Sequence, residues 1–148
     1  MPTLNCSDYL WQNIMDVNLS GTLRGCQIFG ETMLHRQKGR ITNIASLSSF
    51  VAFHEVAAYG VSKAAVGALT RDRVCSFSEY ASTQSLPASS PPTSIGNLLD
   101  SARRKELLLR TPMRRFGTVD EVVGIEVYLA SDEAAFTTGK VFQLMAAF

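Results

Sequence analysis

The chain has 148 residues, 46% of them hydrophobic and 18% charged, a balance that fits one packed core and excludes wholesale disorder. Its 14 basic and 13 acidic side chains leave a net charge of +1, which argues against a nucleic-acid partner because phosphate neutralisation needs a basic excess. The opening MPTLNCSDYLWQ lacks a basic segment followed by an apolar run, and no apolar stretch approaches the ~20 residues of a membrane helix. A cytoplasmic protein with no membrane partner, built as a single domain over residues 1–148, is therefore expected.

Ser7 and Asp8 can cap a helix whose apolar positions, Leu10, Ile14, Val17, Leu23, Ile28, Met33 and Leu34, recur at near-helical spacing, with Gly39 ending it. Arg40 to Ala45 (RITNIA) is short, β-branched and flanked by Gly and Ser, which predicts a buried strand. Ser46 to Val56 reads as the loop leaving it, and Ala57 to Arg73 as a second long, Ala-rich helix. Ser82 to Pro92 is polar, proline-bearing and aperiodic, the pattern of a flexible loop or linker. Leu98 to Leu109 predicts a charged helix. Thr118-x-x-Glu121 is a capping box opening a helix over Val119 to Ala130, and Gly139 to Phe142 begins a last strand. Helices alternating with strands imply an α/β unit on a parallel sheet.

Cys6, Cys26 and Cys75 are odd in number and match neither a CxxC pair nor metal-ligand spacing, so buried reduced thiols and no metal site are expected. His35 and His54 fit no triad or metal spacing and are read as surface or structural.

Tyr59 and Lys63 stand four apart, on one face of the second helix. A free phenol titrates near ~10, too high for easy proton exchange at neutral pH, and an adjacent cation favours its ionised form. Such a pair can serve as a general acid or base, although the same spacing also occurs on solvated helix faces. Ser46 follows the buried strand by one residue, and open α/β sheets place ligands at the carboxyl ends of their strands. Its hydroxyl, or that of Ser48 or Ser49, could hold a substrate carbonyl in line with the phenol. Asn18 is a polar residue in an otherwise apolar helix and needs a hydrogen-bond partner, whether structural or a catalytic water.

Asp16-Val-Asn-Leu-Ser-Gly21, Gly39-Arg-Ile-Thr-Asn-Ile-Ala-Ser46 and Ala58-Tyr-Gly-Val-Ser-Lys-Ala-Ala65 together resemble the catalytic half of the short-chain dehydrogenase/reductase family. Thr111 to Val123, Tyr128 to Ala134 and Thr138-Gly139 resemble its later segments. The resemblance implies a partial doubly wound, Rossmann-like three-layer α/β sandwich lacking the first βαβ units. It implies that Tyr59 is the acid/base, that Lys63 makes the phenol more acidic and holds the nicotinamide ribose, that Ser46 orients the substrate oxygen and that Asn18 supports a proton-relay water. The reaction would be hydride transfer between NAD or NADP and a small alcohol or ketone. In the intact family such chains form homo-oligomers, dimers or tetramers, through their two long helices. An inactive fragment serving only as an oligomerisation module, or a degraded gene product, is the alternative.

Family members begin with a strand and a Gly-rich turn that receives the cofactor pyrophosphate, and no such turn stands in these residues. Near Ser82 to Pro92 the family usually carries Asn-Ala-Ile-Ala-Pro-Gly. Codons for ASTQSLPASSPP can be chosen so that a shifted frame spells that turn, and Gln143 to Phe148 can likewise conceal Val-Asp-Gly-Gly-Phe. Residues 82–92 and 143–148 are therefore expected to reflect small insertions or deletions in the gene or its reading. A chain without the earlier strands should also expose a strand edge and apolar faces.

Overall fold

The computed structural model describes residues 5–50, 56–76, 81–87, 101–110, 112–118 and 120–144. Ser7, in extended backbone, accepts a hydrogen bond on its Oγ from the Leu10 N–H at 3.2 Å and so satisfies one of the free donors opening helix α1 (Asp8–Met15). Asp8 in the first turn complements the positive end of that helix. The chain does not continue as one regular α-helix to Leu34, as its apolar spacing predicts. Asp16–Ser20 forms a π-helical turn, in which the Gly21 N–H bonds back to the Asp16 carbonyl, before α2 runs over Gly21–Arg36. A π turn holds an extra residue, so it resets which side chains face inward, and Asn18 sits within it.

Helix α2 also stops earlier than Gly39. Gln37 takes the left-handed conformation at φ 49°, with its N–H on the Leu34 carbonyl and the Lys38 N–H on that of Met33. This closes the helix at a conformational cost of about 1 kcal/mol for a residue with a side chain.

Strand β1 (Arg40–Ile44) follows, and a short 3₁₀ turn, Leu47–Ser49, begins three residues beyond it. Helix α3 spans Ala57–Ser76 and strand β2 spans Ala81–Pro87. The segment expected as a linker from Ser82 onward is corrected here: its first part is the middle strand of the sheet, while 88–92 lie outside the described residues. β2 pairs in parallel with β1, from Arg40 opposite Ala81 to Ile44 opposite Ser85. It pairs on its other side with β3 (Val141–Leu144), from Gln84 opposite Val141 to Pro87 opposite Leu144. Ladder bonds on both sides override a polar composition that argues locally for a loop.

Helices α4 (Ser101–Arg110) and α5 (Asp120–Ala130) lie close to their expected bounds. The capping box is half realised. The Glu121 carboxylate accepts from the Thr118 N–H at 2.7 Å and is gripped by both terminal nitrogens of Arg115, at 2.8 and 2.6 Å. These bonds hold Glu121 at about 2, well below the ordinary carboxylate range.

Side-chain alternation assigns the layers. Asn43 bonds Thr70 of α3, whereas Arg40, of opposite parity on β1, lies 3.6 Å from Asp132, just past α5. The long helices therefore cover one face and α5 the other, a three-layer α/β arrangement. Among the described residues the buried apolar side chains are mostly small, Cys26, Ala45, Leu47, Ala58, Val66, Leu129 and Ala134. In the described sheet, ordered β1-β2-β3, β1 is an edge strand. Ile28, Phe29 and Ile44 remain more than half exposed, in line with the expected open edge and apolar faces.

Candidate active site

The carboxyl end of β1 and the first turns of α3 meet at one place. Lys63 Nζ donates to the carbonyl oxygen of Ile44, the last residue of β1, at 3.0 Å. The same ammonium lies 5.9 Å from the centre of the Tyr59 ring, within cation–π range. Partial burial pushes the Lys63 ammonium below the ordinary lysine range, because leaving water penalises the charged form. Tyr59 itself is 37% exposed, so its phenol is accessible to a small molecule.

Ser46 stands two residues beyond Ile44 in extended backbone and caps the 3₁₀ turn, its Oγ accepting the Ser48 N–H at 3.3 Å. With that lone pair engaged, the hydroxyl proton of Ser46 is free to be donated elsewhere. Gly60 brings α3 against this turn: a Cβ there would lie only 3.1 Å from the Ser48 carbonyl oxygen. Ser48 and Ser49, the other hydroxyls weighed for holding a substrate oxygen, have buried Oγ atoms with no hydrogen-bond partner.

Asn18 finds the partner its sequence position calls for. Its Nδ2 donates to Ser62 Oγ at 3.0 Å, and Ser62 in turn donates to the Tyr59 carbonyl at 2.7 Å. Thr22 Oγ1 donates to the Asn18 carbonyl at 2.7 Å. The Asn18 side chain is thus turned into the interface between the π turn and α3. Ser62 was not singled out by sequence, although its place between Tyr59 and Lys63, one turn beyond Tyr59 on a helix face that must be buried, is the signal that finds it.

A second buried set, Asn43 and Thr70, was also missed. Asn43 Nδ2 donates to Thr70 Oγ1 at 3.0 Å, and Thr70 donates to the Val66 carbonyl at 2.9 Å. Cys26 is buried, and its thiol lies 3.8 Å from the Asn43 side-chain oxygen, whereas Cys6 is only half-buried; the Cys75 side chain lies outside the described residues. His35 is exposed on α2, and His54 lies outside the described residues.

A phenol and an ammonium one helical turn apart, at the carboxyl end of a parallel strand, with a serine hydroxyl leaving that strand, define a site suited to proton exchange with a bound oxygen. Comparison with known proteins agrees with this class. Residues 1–144 match the family model described as enoyl-(acyl carrier protein) reductase. The chain is 34% identical over 139 residues to 2-(S)-hydroxypropyl-CoM dehydrogenase 3 of Xanthobacter autotrophicus, covering 89% of this chain and 54% of that protein. It is 33% identical over 156 aligned positions to galactitol 2-dehydrogenase of Rhizobium johnstonii, covering all of this chain and 60% of that one. A gluconate 5-dehydrogenase from Burkholderia cenocepacia, solved with NADP and tartrate, superimposes with a TM-score of 0.89 at 27% identity, over 99% of this chain and 58% of the other.

The chain belongs to the short-chain dehydrogenase/reductase family. Its fold is part of the Rossmann-like α/β architecture of those relatives, and it spans a little over half the length of the curated relatives it matches. No helix among the described residues is long and apolar enough to cross a membrane.

Proposed function

We propose that this chain carries the catalytic half of an NAD- or NADP-dependent oxidoreductase that interconverts a small alcohol and a ketone, with Tyr59 as the acid/base. The observation that carries this reading is the joining of β1 to α3 by the Lys63–Ile44 hydrogen bond, which fixes a cation beside the Tyr59 ring at the ligand-binding end of the sheet. In the reductive direction Tyr59 donates its hydroxyl proton to the substrate oxygen. In the oxidative direction the same oxygen, ionised, takes the proton back. Ser46, its Oγ already accepting from Ser48, donates to the substrate oxygen and holds it. Asn18, locked through Ser62, supports a water that returns the proton to solvent.

The residues present fit the nicotinamide end of the cofactor. Lys63 uses one of its three N–H groups on Ile44, which leaves two for ribose hydroxyls. When bound, the cofactor supplies the hydride chemistry. The relatives' names point to polyols and sugar acids as substrates, with ketoacyl compounds as the other class; we read the protein as a cytoplasmic homo-oligomer with no nucleic-acid or membrane partner. The chain is read as one domain over 1–148, in which 82–92 and 143–148 reflect shifts of reading frame. Sequencing those codons decides that point.

A second reading is favoured by the exposed apolar side chains of the long helices, Val17, Ile28 and Phe29 on the first pair and Val61 on α3. On this reading the chain is a catalytically silent oligomerisation module. Fluorescence titration with NADH and NADPH separates the two. Saturable binding, with oxidation of a polyol or sugar acid, supports the enzyme, whereas no binding by a chain that self-associates supports the module.

A further inference from the structure

Helix α3 carries two hydroxyl side chains with no exposed surface, Ser62 and Thr70. They stand eight residues apart, roughly two turns, and so lie on nearly the same helix face. Each is the centre of the same device. A side-chain amide donates to the hydroxyl at 3.0 Å, from Asn18 in one case and Asn43 in the other. The hydroxyl then donates to a backbone carbonyl one turn earlier on α3, Tyr59 at 2.7 Å or Val66 at 2.9 Å. Two polar straps thus tie α3 to the rest of the molecule, one to the π-helical turn and one to Asn43 of β1.

The straps are alike in chemistry but unlike in place, and the Asn18 strap is only part-buried where the Asn43 strap is buried. Ser62 lies between Tyr59 and Lys63, and its hydroxyl is bonded to the Tyr59 backbone itself. Thr70 is seven residues, nearly two turns, beyond Lys63, and its hydroxyl is bonded to Asn43 and to the Val66 carbonyl, not to the Tyr59 backbone. Asn18 lies within the π turn, whose extra residue shifts the phase of the helix at that position.

We propose that Ser62 is a positioning residue for the Tyr59–Lys63 pair, acting through the Asn18 strap, whereas the chemically matched Thr70 strap serves stability alone. This assignment rests on the reading of Tyr59 and Lys63 as the proton-transfer pair. A part-buried hydrogen bond resists the small rotation or shift of α3 that would carry the Lys63 ammonium off the Ile44 carbonyl and into water. Loss of the Thr70 strap loosens the far end of the helix and leaves that geometry in place.

The test uses this chain without any need for turnover. Lysine labelled at Cε is followed by NMR through a pH titration, with the Lys63 signal assigned by its loss in Lys63→Arg. Lys63 meets the Ile44 carbonyl and the Tyr59 ring, and it takes no part in the Arg40–Asp132 and Arg115–Glu121 ion pairs. In the unaltered chain its midpoint is expected below the ordinary lysine range, because burial penalises the ammonium. Ser62→Ala is expected to raise that midpoint by about half a pH unit or more as water reaches the ammonium. Thr70→Val is expected to leave it unchanged while lowering the thermal midpoint as much as Ser62→Ala does. Asn18→Leu, which removes the donor but keeps Ser62 bonded to Tyr59, is expected to reproduce the Ser62→Ala shift and guards against a Ser62 variant that fails to fold.

Equal shifts from the Ser62 and Thr70 variants, or none from Ser62→Ala and Asn18→Leu, would overturn the proposal. Failure of the enzymatic reading is recognised separately, by turnover that survives Tyr59→Phe.

Discussion

Lys63 Nζ and the Ile44 carbonyl oxygen are 3.0 Å apart, and this bond joins the helix bearing the phenol to the end of the strand that leads into Ser46. It links two segments nineteen residues apart in sequence, and it leaves the ammonium half-buried at a point where a ribose could meet it. A bond from an ammonium contributes about 1.5–3 kcal/mol. Lys63→Met is therefore expected to weaken NAD(P)H binding by roughly tenfold or more, read by fluorescence titration. Unchanged affinity would place the nicotinamide elsewhere.

Tyr59→Phe removes only the hydroxyl. With a chain that turns over a polyol or ketone, the rate is expected to fall by about 10²–10⁴-fold, the usual contribution of a positioned acid or base. NAD(P)H affinity should stay within about twofold. The measurement is steady-state turnover beside a binding titration, and a rate retained in full removes Tyr59 from the reaction.

Gly60 and Gly25 offer a matched contrast between helical glycines. A Cβ at Gly60 meets the Ser48 carbonyl oxygen at 3.1 Å, whereas one at Gly25 meets nothing within 4 Å. Gly60→Val is expected to cost about 1–3 kcal/mol through crowding of the turn after Ser46. Gly25→Ala should instead stabilise by about 0.5–1 kcal/mol, because alanine is the better helix former. Denaturant titration of the two variants reads both signs.

Val66 is 1% exposed and Val127 61% exposed. Truncating Val66 to Ala removes two buried carbons and opens a cavity, which predicts a loss of about 2 kcal/mol. The same change at Val127 should stay within about 0.5 kcal/mol. Similar losses at both positions would mean that α5 is covered in solution by another surface.

Glu121 titrates at about 2, held down first by its hydrogen bonds to Arg115. A carboxylate whose value is depressed by folding stabilises the folded chain at pH above its ordinary value, near ~4.3. That contribution fades as pH falls toward the folded value. Glu121→Gln is therefore expected to be less stable than the unaltered chain near neutral pH, with the gap closing toward pH about 2. Both side chains of the pair are about half exposed to solvent, so added salt should narrow the gap as well. A gap independent of pH would mean that the bond to the Thr118 N–H, and not the charge, accounts for the effect.

Much of the layout was legible in the residues. The helix over Ala57–Ser76, the strand at Arg40–Ile44 and the Thr118–Glu121 start of α5 follow from periodicity, β-branching and capping, all of which act over a few residues. Tyr59, Lys63 and Ser46 could be singled out for the same reason, since a helical turn and a strand end are local features. The strand at Ala81–Pro87 could not. Its polar residues carry no strand signal, and only pairing to β1 and β3 makes them one.

The π turn at Asp16–Ser20 was equally hidden, because near-helical apolar spacing cannot reveal one extra residue in a turn. With it was hidden the identity of Asn18's partner. A lone polar residue in an apolar helix states that a partner is required, but Ser62 lies forty-four residues on, and no short-range pattern links them. The amino-acid sequence by itself determined which side chains could exchange a proton and which segments could form helices. The packing of α3 against β1 and the π turn decided where those side chains stand, because desolvation and hydrogen-bond geometry exist only once distant segments exclude water from one another.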